Sequence, residues 1–358
     1  MASFMTPAPT PSTPLGLHKI LSSTAGIHVS PLILGGMSLG NKWPFMGDLT
    51  KQQAFALLDA FYKAGGNFID TANAYHDGQS EEWIGEWLQD KRDDIILATK
   101  YSFHYKAPTN EDKTPAKNNA WGNSKRSMIT SLRDSLVKLN TDFVDIFYVH
   151  WWDFTCSIPE VMDALHLLVL QDKVLYLGIS DTPAWVIAAA NTYASDHGKT
   201  PFSIVQGKWN VADRDFEREL LPMATHFGMA IAPWNVLGGG RFRTTESDSP
   251  RTADQTEEEA AISKKLSKIA DAHSTTIQSI CIAYLRGKSS LVIPLIGGRK
   301  VEHLEANIKA LEVVLTAEEI AELEGEFDPG FPANFTGQDF HVTGKAGTMI
   351  KASGPLVL

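Results

Sequence analysis

The chain of 358 residues is short of cysteine: it has two, Cys156 and Cys281, far apart. No CxxC pair and no Cys/His cluster accompanies them, which argues against a disulfide framework or a structural zinc site, and no metal is expected. That usage fits a reducing compartment, so the expected location is the cytoplasm. Long apolar runs are missing too. The best, Val161 to Leu170, is short and interrupted by Asp163 and His166, so no membrane-spanning helix is expected. Basic charge is in deficit, with 32 Lys and Arg against 42 Asp and Glu and a net charge of −10. A nucleic-acid binder needs a basic face to neutralise phosphates, so nucleic acid is an unfavourable partner, as is an acidic membrane surface. The N-terminal stretch lacks the charged segment and apolar run of a secretory signal. Residues 1–17 are expected to be a loosely ordered tail. A GxGxxG dinucleotide fingerprint is also absent after the first apolar run, where Gly35-Gly36-Met37-Ser38-Leu39-Gly40 stands instead.

What is present is an alternation of short apolar runs and longer amphipathic stretches. The apolar runs are Leu32–Leu34, Asn67–Ile69, Ile95–Thr99, Phe143–Val149, Val174–Ile179, Ser203–Gln206, Met229–Ala232 and Leu291–Pro294. Nearly all-apolar strands are expected where both faces of a sheet are covered. Helices are expected from Thr50, where Gln53 completes a capping box, to Gly65-Gly66, and over Ser80–Gln89 and Ser124–Leu139. Further helices fall at Ile158–Leu170, Pro183–Ser195, Asp215–Phe227, Glu257–His273, Ile277–Leu285 and Val301–Leu311. Eight strands each followed by a helix, in about 290 residues, predict an α/β fold: one (β/α)8 TIM barrel over residues 18–329. Residues 330–358 are expected to be a C-terminal loop or tail of that domain. His18–Val29 is predicted to be a β-hairpin with Ala25-Gly26 at its middle, lying across the bottom of the barrel. The polar stretches Ser102–Gly122 and Leu237–Thr256 are predicted to be long loops on the C-terminal face.

Such a barrel keeps its active site at the C-terminal ends of its strands. There the sequence places Asp70, then Tyr75, then Lys100 and His150. A phenol titrates near pH 10, so a neighbouring ammonium is expected to lower the Tyr75 pKa, with Asp70 holding Lys100 charged and oriented. His150 can donate to a carbonyl oxygen. The set suits protonation of that oxygen while hydride arrives at carbon.

The motifs Phe68-Ile69-Asp70-Thr71-Ala72-Asn73-Ala74-Tyr75, Ala98-Thr99-Lys100 and Tyr148-Val149-His150 resemble the aldo-keto reductase superfamily. The stretch Gly297-Gly298-Arg299-Lys300-Val301-Glu302-His303-Leu304 resembles its fungal aryl-alcohol dehydrogenase branch. The resemblance implies a nicotinamide cofactor, Tyr75 as general acid, Lys100 and Asp70 as its tuners, and His150 as the substrate orienter. It further implies carboxamide contacts from Ser180, Asp181 and Gln206, with Asp181 where the family has Asn. Trp209 is implied as the ring stacking on the nicotinamide. Pro233, Trp234, Asn235, Val236, Leu237, Gly238 and Gly240 are implied around the pyrophosphate, and Asn307 near the adenine. Physical chemistry adds that Gly298, Arg299, Lys300 and His303 lie at a helix N-terminus, where free amides and basic side chains favour a 2′-phosphate; NADPH/NADP+ is therefore expected.

Trp43, Phe45, Trp121 and Trp151 are expected to line the substrate pocket, favouring a flat aromatic or apolar carbonyl compound. The leading reading is reversible reduction of aryl aldehydes to alcohols by a monomer or weak homo-oligomer. The nearest variant is a reductase of a polyketide-type ketone. A regulatory module that senses cofactor on a reductase scaffold, and a Schiff-base enzyme using Lys100, are the readings from other classes. The acidic neighbour of Lys100 opposes the last, because it raises a pKa that such a nucleophile needs depressed.

Overall fold

The computed structural model describes residues 6–7, 9–46, 48–106, 118–244 and 255–325. The expected C-terminal segment 330–358 and the centres of the two long loops lie outside the described residues. The tail is packed near its end: Leu15 is wholly buried and Thr13 Oγ1 donates to Ala64 O at 2.7 Å. A hairpin follows, β1 (Lys19–Ser22) and β2 (Ala25–Val29). Its turn is at Ser23–Thr24 instead of Ala25-Gly26. The Ser22 hydroxyl accepts from Thr24 N at 3.3 Å and so makes the turn, while Gly26 sits within β2.

The barrel strands are β3 (Ile33–Gly35), β4 (Phe68–Asp70), β5 (Ile96–Tyr101), β6 (Val144–Val149), β7 (Val174–Ser180), β8 (Phe202–Lys208), β9 (Ala230–Trp234) and β10 (Leu295–Ile296). They pair in parallel in chain order, and β10 returns to β3. The last strand is later and shorter than the predicted Leu291–Pro294. That predicted run instead closes the ring, since Val292 bridges Ile231 and Ile293 N donates to Ile231 O at 2.8 Å.

The helices are α1 (Lys51–Lys63), α2 (Gln79–Leu88), α3 (Lys125–Lys138), α4 (Ile158–Leu170), α5 (Ala184–Asp196), α6 (Leu220–His226), α7 (Glu257–Ala272), α8 (Ile277–Lys288), α9 (Val301–Lys309) and α10 (Ala317–Glu324). The Thr50–Gln53 capping box forms as expected. The predicted helix 215–227 is broken: a 3-10 turn at Asp215–Glu217 precedes α6, whose Pro222 lies in its first turn, where no amide is needed. Helix α10 was not foreseen, although Thr316 and Glu319 make a capping box in front of it.

The strand period of two decides what faces the barrel axis. Phe68, Ala98, Ile146 and Ile204 pack with the hairpin's Leu21, Ala25 and Val29 in one buried interior cluster. Their neighbours Ile69, Leu97, Phe147 and Val205 pack outward with the helices. Two residues on from each inward position stand Asp70, Lys100, Tyr148 and Gln206. The same alternation carries His150 inward at the end of β6. The hairpin closes the opposite end, where Ser23 N donates to Gly228 O at 3.2 Å and Thr24 to Ser203 at 2.9 Å.

Candidate active site

Asp70, Lys100 and His150 reach the mouth from strand ends, and Tyr75 from the short 3-10 turn Tyr75–Gly78. All four are buried, with Lys100 fully so and Tyr75 8% exposed at the mouth. The Lys100 ammonium pairs with the Asp70 carboxylate and donates to Thr71 O at 2.8 Å. Gln206 Nε2 donates to the other Asp70 oxygen at 3.1 Å, so β8 helps to fix the pair. Lys100 Nζ lies 5.2 Å from the centre of the Tyr75 ring, and the Tyr75 and His150 rings meet edge to face at 5.7 Å. The structure thus brings the four predicted residues together at one mouth.

Burial alone would depress the Lys100 pKa, but the adjacent Asp70 carboxylate and Tyr75 hydroxyl more than offset it and hold the ammonium charged. Tyr75 corrects an expectation. Its pKa is raised, because burial outweighs the lowering by Lys100 and Asp70 opposes that lowering. The phenol therefore rests protonated, the form a general acid needs. His150 is held neutral: burial, then the Lys100 charge, pushes its pKa well below the usual range. Its backbone N is anchored by Tyr101 O at 3.1 Å, and its Nδ1 is buried without a hydrogen-bond partner among the described residues.

A second layer supports this floor. Glu81, wholly buried on α2, accepts from Thr99 Oγ1 at 2.6 Å and pairs with Lys138 at 2.5 Å. Lys138 in turn donates to Asn73 O at 3.0 Å, fixing the segment between Asp70 and Tyr75. Sequence reading missed these residues; a Glu one turn into α2 carries no distinguishing signal.

The candidate cofactor residues run around the neighbouring sector. Ser180 ends β7 and pairs in register with Gln206, which lies opposite Ala232 of β9. Asp181, at φ 40°, follows Ser180 and accepts from the Trp234 indole N–H at 3.0 Å. Trp234 is half-buried at the end of β9. Trp209 corrects the expected ring stacker. It is 0% exposed, its indole N–H donates to Glu217 at 3.0 Å, and its ring stacks on Phe216 at 5.1 Å, so no face is open to a ligand. The Glu217 that captures it comes from the 3-10 turn eight residues later, which strand periodicity could not reveal. After Pro233, Trp234, Asn235, Val236 and Leu237, the glycines Gly238, Gly239 and Gly240 all have positive φ, 60°, 65° and 88°, a conformation that suits glycine.

Arg299, Lys300 and His303 share a cavity of about 530 Å³ with Gln53 and Leu57 at the N-terminus of α9. Gly298 O accepts from Ser38 Oγ at 2.9 Å. Asn307 is only 3% exposed on the inner side of α9.

Aromatic rings wall the mouth on two sides. Trp43 stacks on Phe45 at 5.8 Å and turns its ring edge-on to Tyr75 at 6.4 Å. Across from these, Phe103 meets His150 at 4.7 Å and Trp151 at 6.1 Å, and Trp121 stacks on Trp151 at 6.1 Å. Phe45, Phe103 and Trp121 remain exposed.

The chain matches the Aldo/keto reductase family over residues 31–326, and it belongs to that family of oxidoreductases. It is 54% identical to AAD14 of Saccharomyces cerevisiae, named provisionally as an aryl-alcohol dehydrogenase, over 99% of this chain and 98% of that protein. It is 49% identical to the aryl-alcohol dehydrogenase [NADP(+)] of Phanerodontia chrysosporium, over 95% and 94% of the two chains. It is also 49% identical to a norsolorinic acid reductase of Aspergillus flavus, over 92% and 86%. Among the described residues no helix is long and apolar enough to cross a membrane.

Proposed function

We propose that the protein is an NADPH-dependent reductase of aryl carbonyl compounds, giving the alcohol reversibly. The observation that carries this reading is the protonated Tyr75 at the mouth, held between charged Lys100 and neutral His150 and flanked by two aromatic walls. A nicotinamide bound along the β7–β9 sector supplies hydride to the carbonyl carbon. Tyr75 delivers a proton to the carbonyl oxygen, so that the C=O bond becomes CH–OH. Lys100 stabilises the phenolate left behind, and Asp70 keeps Lys100 in place. Neutral His150 has one N–H to donate and orients the same oxygen.

The residues fit the cofactor. Ser180 and Gln206 offer polar groups in one register row with Asp181 directly after it, Trp234 is half-buried at the mouth where Trp209 is wholly buried, and the Gly238–Gly240 amides suit a pyrophosphate. The paired cations Arg299 and Lys300, with His303, open onto a cavity where a 2′-phosphate can be forked. The NADP(+) in the name of one relative favours the same choice. Arg299→Ala should cut the preference for NADPH over NADH by about tenfold or more, measured as the ratio of dissociation constants. An unchanged ratio would reject the phosphate site. A larger polyketide-type ketone is the second substrate reading, favoured by the norsolorinic acid reductase relative and the exposed rings of both walls. A panel of aryl aldehydes and polycyclic aryl ketones, followed by NADPH absorbance, separates the two; a protein that turns over neither fails the reading.

A further inference from the structure

The reduction chemistry leaves His76 and Asp77 without a role, although they follow Tyr75 directly. Both have positive φ, 51° and 58°. That conformation is uncommon outside glycine, although His and Asp adopt it more readily than most side chains.

His76 is wholly buried. Its Nδ1 receives the backbone amides of Lys42 and Trp43 at 3.1 and 3.0 Å. Amides only donate, so Nδ1 carries no proton and the ring N–H is on Nε2, which donates to Met37 O at 3.1 Å. One neutral imidazole thereby ties both ends of the 37–43 segment. The segment wraps the ring so closely that a Cβ on Gly40 would lie 2.3 Å from it. Asn41 N is held in addition by Gln79 Oε1 at 2.7 Å. Asp77 takes the other end of Trp43, accepting its indole N–H at 3.1 Å. The Trp43 ring lies on the imidazole at 5.5 Å and 27°, and it meets the Tyr75 ring in a T-shaped contact at 6.4 Å. The run Tyr75-His76-Asp77 therefore supplies the acid, a backbone anchor and an indole anchor in succession.

We propose that His76 and Asp77 are positioning residues that set substrate specificity, by clamping the Trp43 indole at a fixed place against the Tyr75 ring as one wall for a flat aryl carbonyl. The proposal rests on the aryl-carbonyl reading above. It differs from ordinary loop packing because the clamp acts through one acceptor atom, Nδ1, and one carboxylate oxygen.

His76→Asn keeps an acceptor oxygen near the two amides and tolerates positive φ; His76→Leu keeps bulk and removes the acceptor. His76→Leu should raise KM for an aryl aldehyde about tenfold, with a smaller fall in kcat, while His76→Asn stays within about threefold of the unmodified enzyme. Asp77→Ala disturbs only an exposed bond, so it secures the test if His76→Leu folds poorly; it should raise the same KM about threefold. Hydrogen exchange gives a readout independent of turnover. The Lys42 and Trp43 amides should be protected in the unmodified protein and in His76→Asn, and exchange fast in His76→Leu. Equal KM values for the Asn and Leu variants, a fall in kcat with KM unmoved, or fast exchange of both amides in the unmodified protein would each overturn the clamp. If the unmodified protein reduces no aryl carbonyl, the underlying reading falls and takes the specificity role with it. An active enzyme whose KM ignores both positions overturns the clamp alone.

Discussion

The floor of the site and its aromatic walls are held in different ways. Asp70, Lys100, Gln206 and His150 point inward because they occupy alternate positions on parallel strands whose register is locked to both neighbours. The rings of Trp43, Phe45, Phe103, Trp121 and Trp151 come from loops; side-chain bonds from neighbouring segments hold Trp43 and the Trp151 backbone, and the other rings lean on these through ring contacts. The floor is buried and holds the Asp70–Lys100 ion pair; the walls are partly exposed and neutral. On the proposed reading, the chemistry is built into the backbone of the barrel, whereas the choice of substrate is attached to it through loops and a few replaceable hydrogen bonds. Damage to the floor should abolish turnover, and damage to the walls should move KM.

The sharpest separation comes from Tyr75→Phe, which removes one oxygen and leaves the ring contacts with Trp43 and His150. Losing a positioned general acid costs about 10²–10⁴ in rate, so kcat should fall by about a thousandfold while the NADPH dissociation constant stays within a small factor. Steady-state rates and a fluorescence titration measure the two. Retained turnover would show that the proton comes from elsewhere and would dissolve the contrast between floor and walls.

Lys100→Met is expected to act on both activity and folding. It leaves the Asp70 carboxyl buried and facing only Gln206, without the cation that offsets its burial, and breaking a buried pair from one side costs about 3–5 kcal/mol. Thermal unfolding should shift down by several degrees, and Asp70→Asn in the same chain should recover part of the loss. A wall variant such as Trp121→Ala should leave the midpoint almost where it was. Equal shifts for the two would mean that the floor is no more integral to the barrel than its rim.

The contrast also explains what was legible in the sequence. The count of apolar runs and the places where they end put Asp70, Lys100 and His150 at the barrel mouth without any knowledge of partners; the register that turns them inward is visible only in the structure, because nearly all-apolar runs carry no alternation. Tyr75 was legible only through its motif, since it stands on a turn. The walls were legible as a list of rings but not as a geometry. Nothing in the spacing of residues 37–43 reveals that one imidazole gathers them. Trp209 and Trp234 show the same limit: both follow apolar strands, and only the fold shows that Glu217 draws one indole into the core while Asp181 holds the other at the mouth. The turn at Ser23–Thr24 was misplaced because a hydroxyl made the bend that a glycine was expected to make.

The smallest expected effect is a pH dependence of the wall. Burial lowers the His76 pKa from 6.5, and the Met37 carbonyl and the Asp77 carboxylate only partly counter it. In the unfolded chain the imidazole takes its proton near pH 6.5. Below that value the unfolded state binds a proton that the folded state refuses, so stability must fall as the pH falls, until the lowered pKa of the folded state is passed. His150 and the carboxylates titrate in both chains alike, so subtracting the curve of His76→Asn isolates this one group. The unmodified protein should lose stability relative to the variant from pH 6.5 downward, whereas its KM for an aryl aldehyde should climb only further down, as the lowered folded-state pKa is approached and a proton on Nδ1 displaces the Lys42 and Trp43 amides. A difference curve that stays flat would mean that His76 titrates alike in the folded and unfolded chains, and the wall would then be held by packing instead of by a single unprotonated nitrogen.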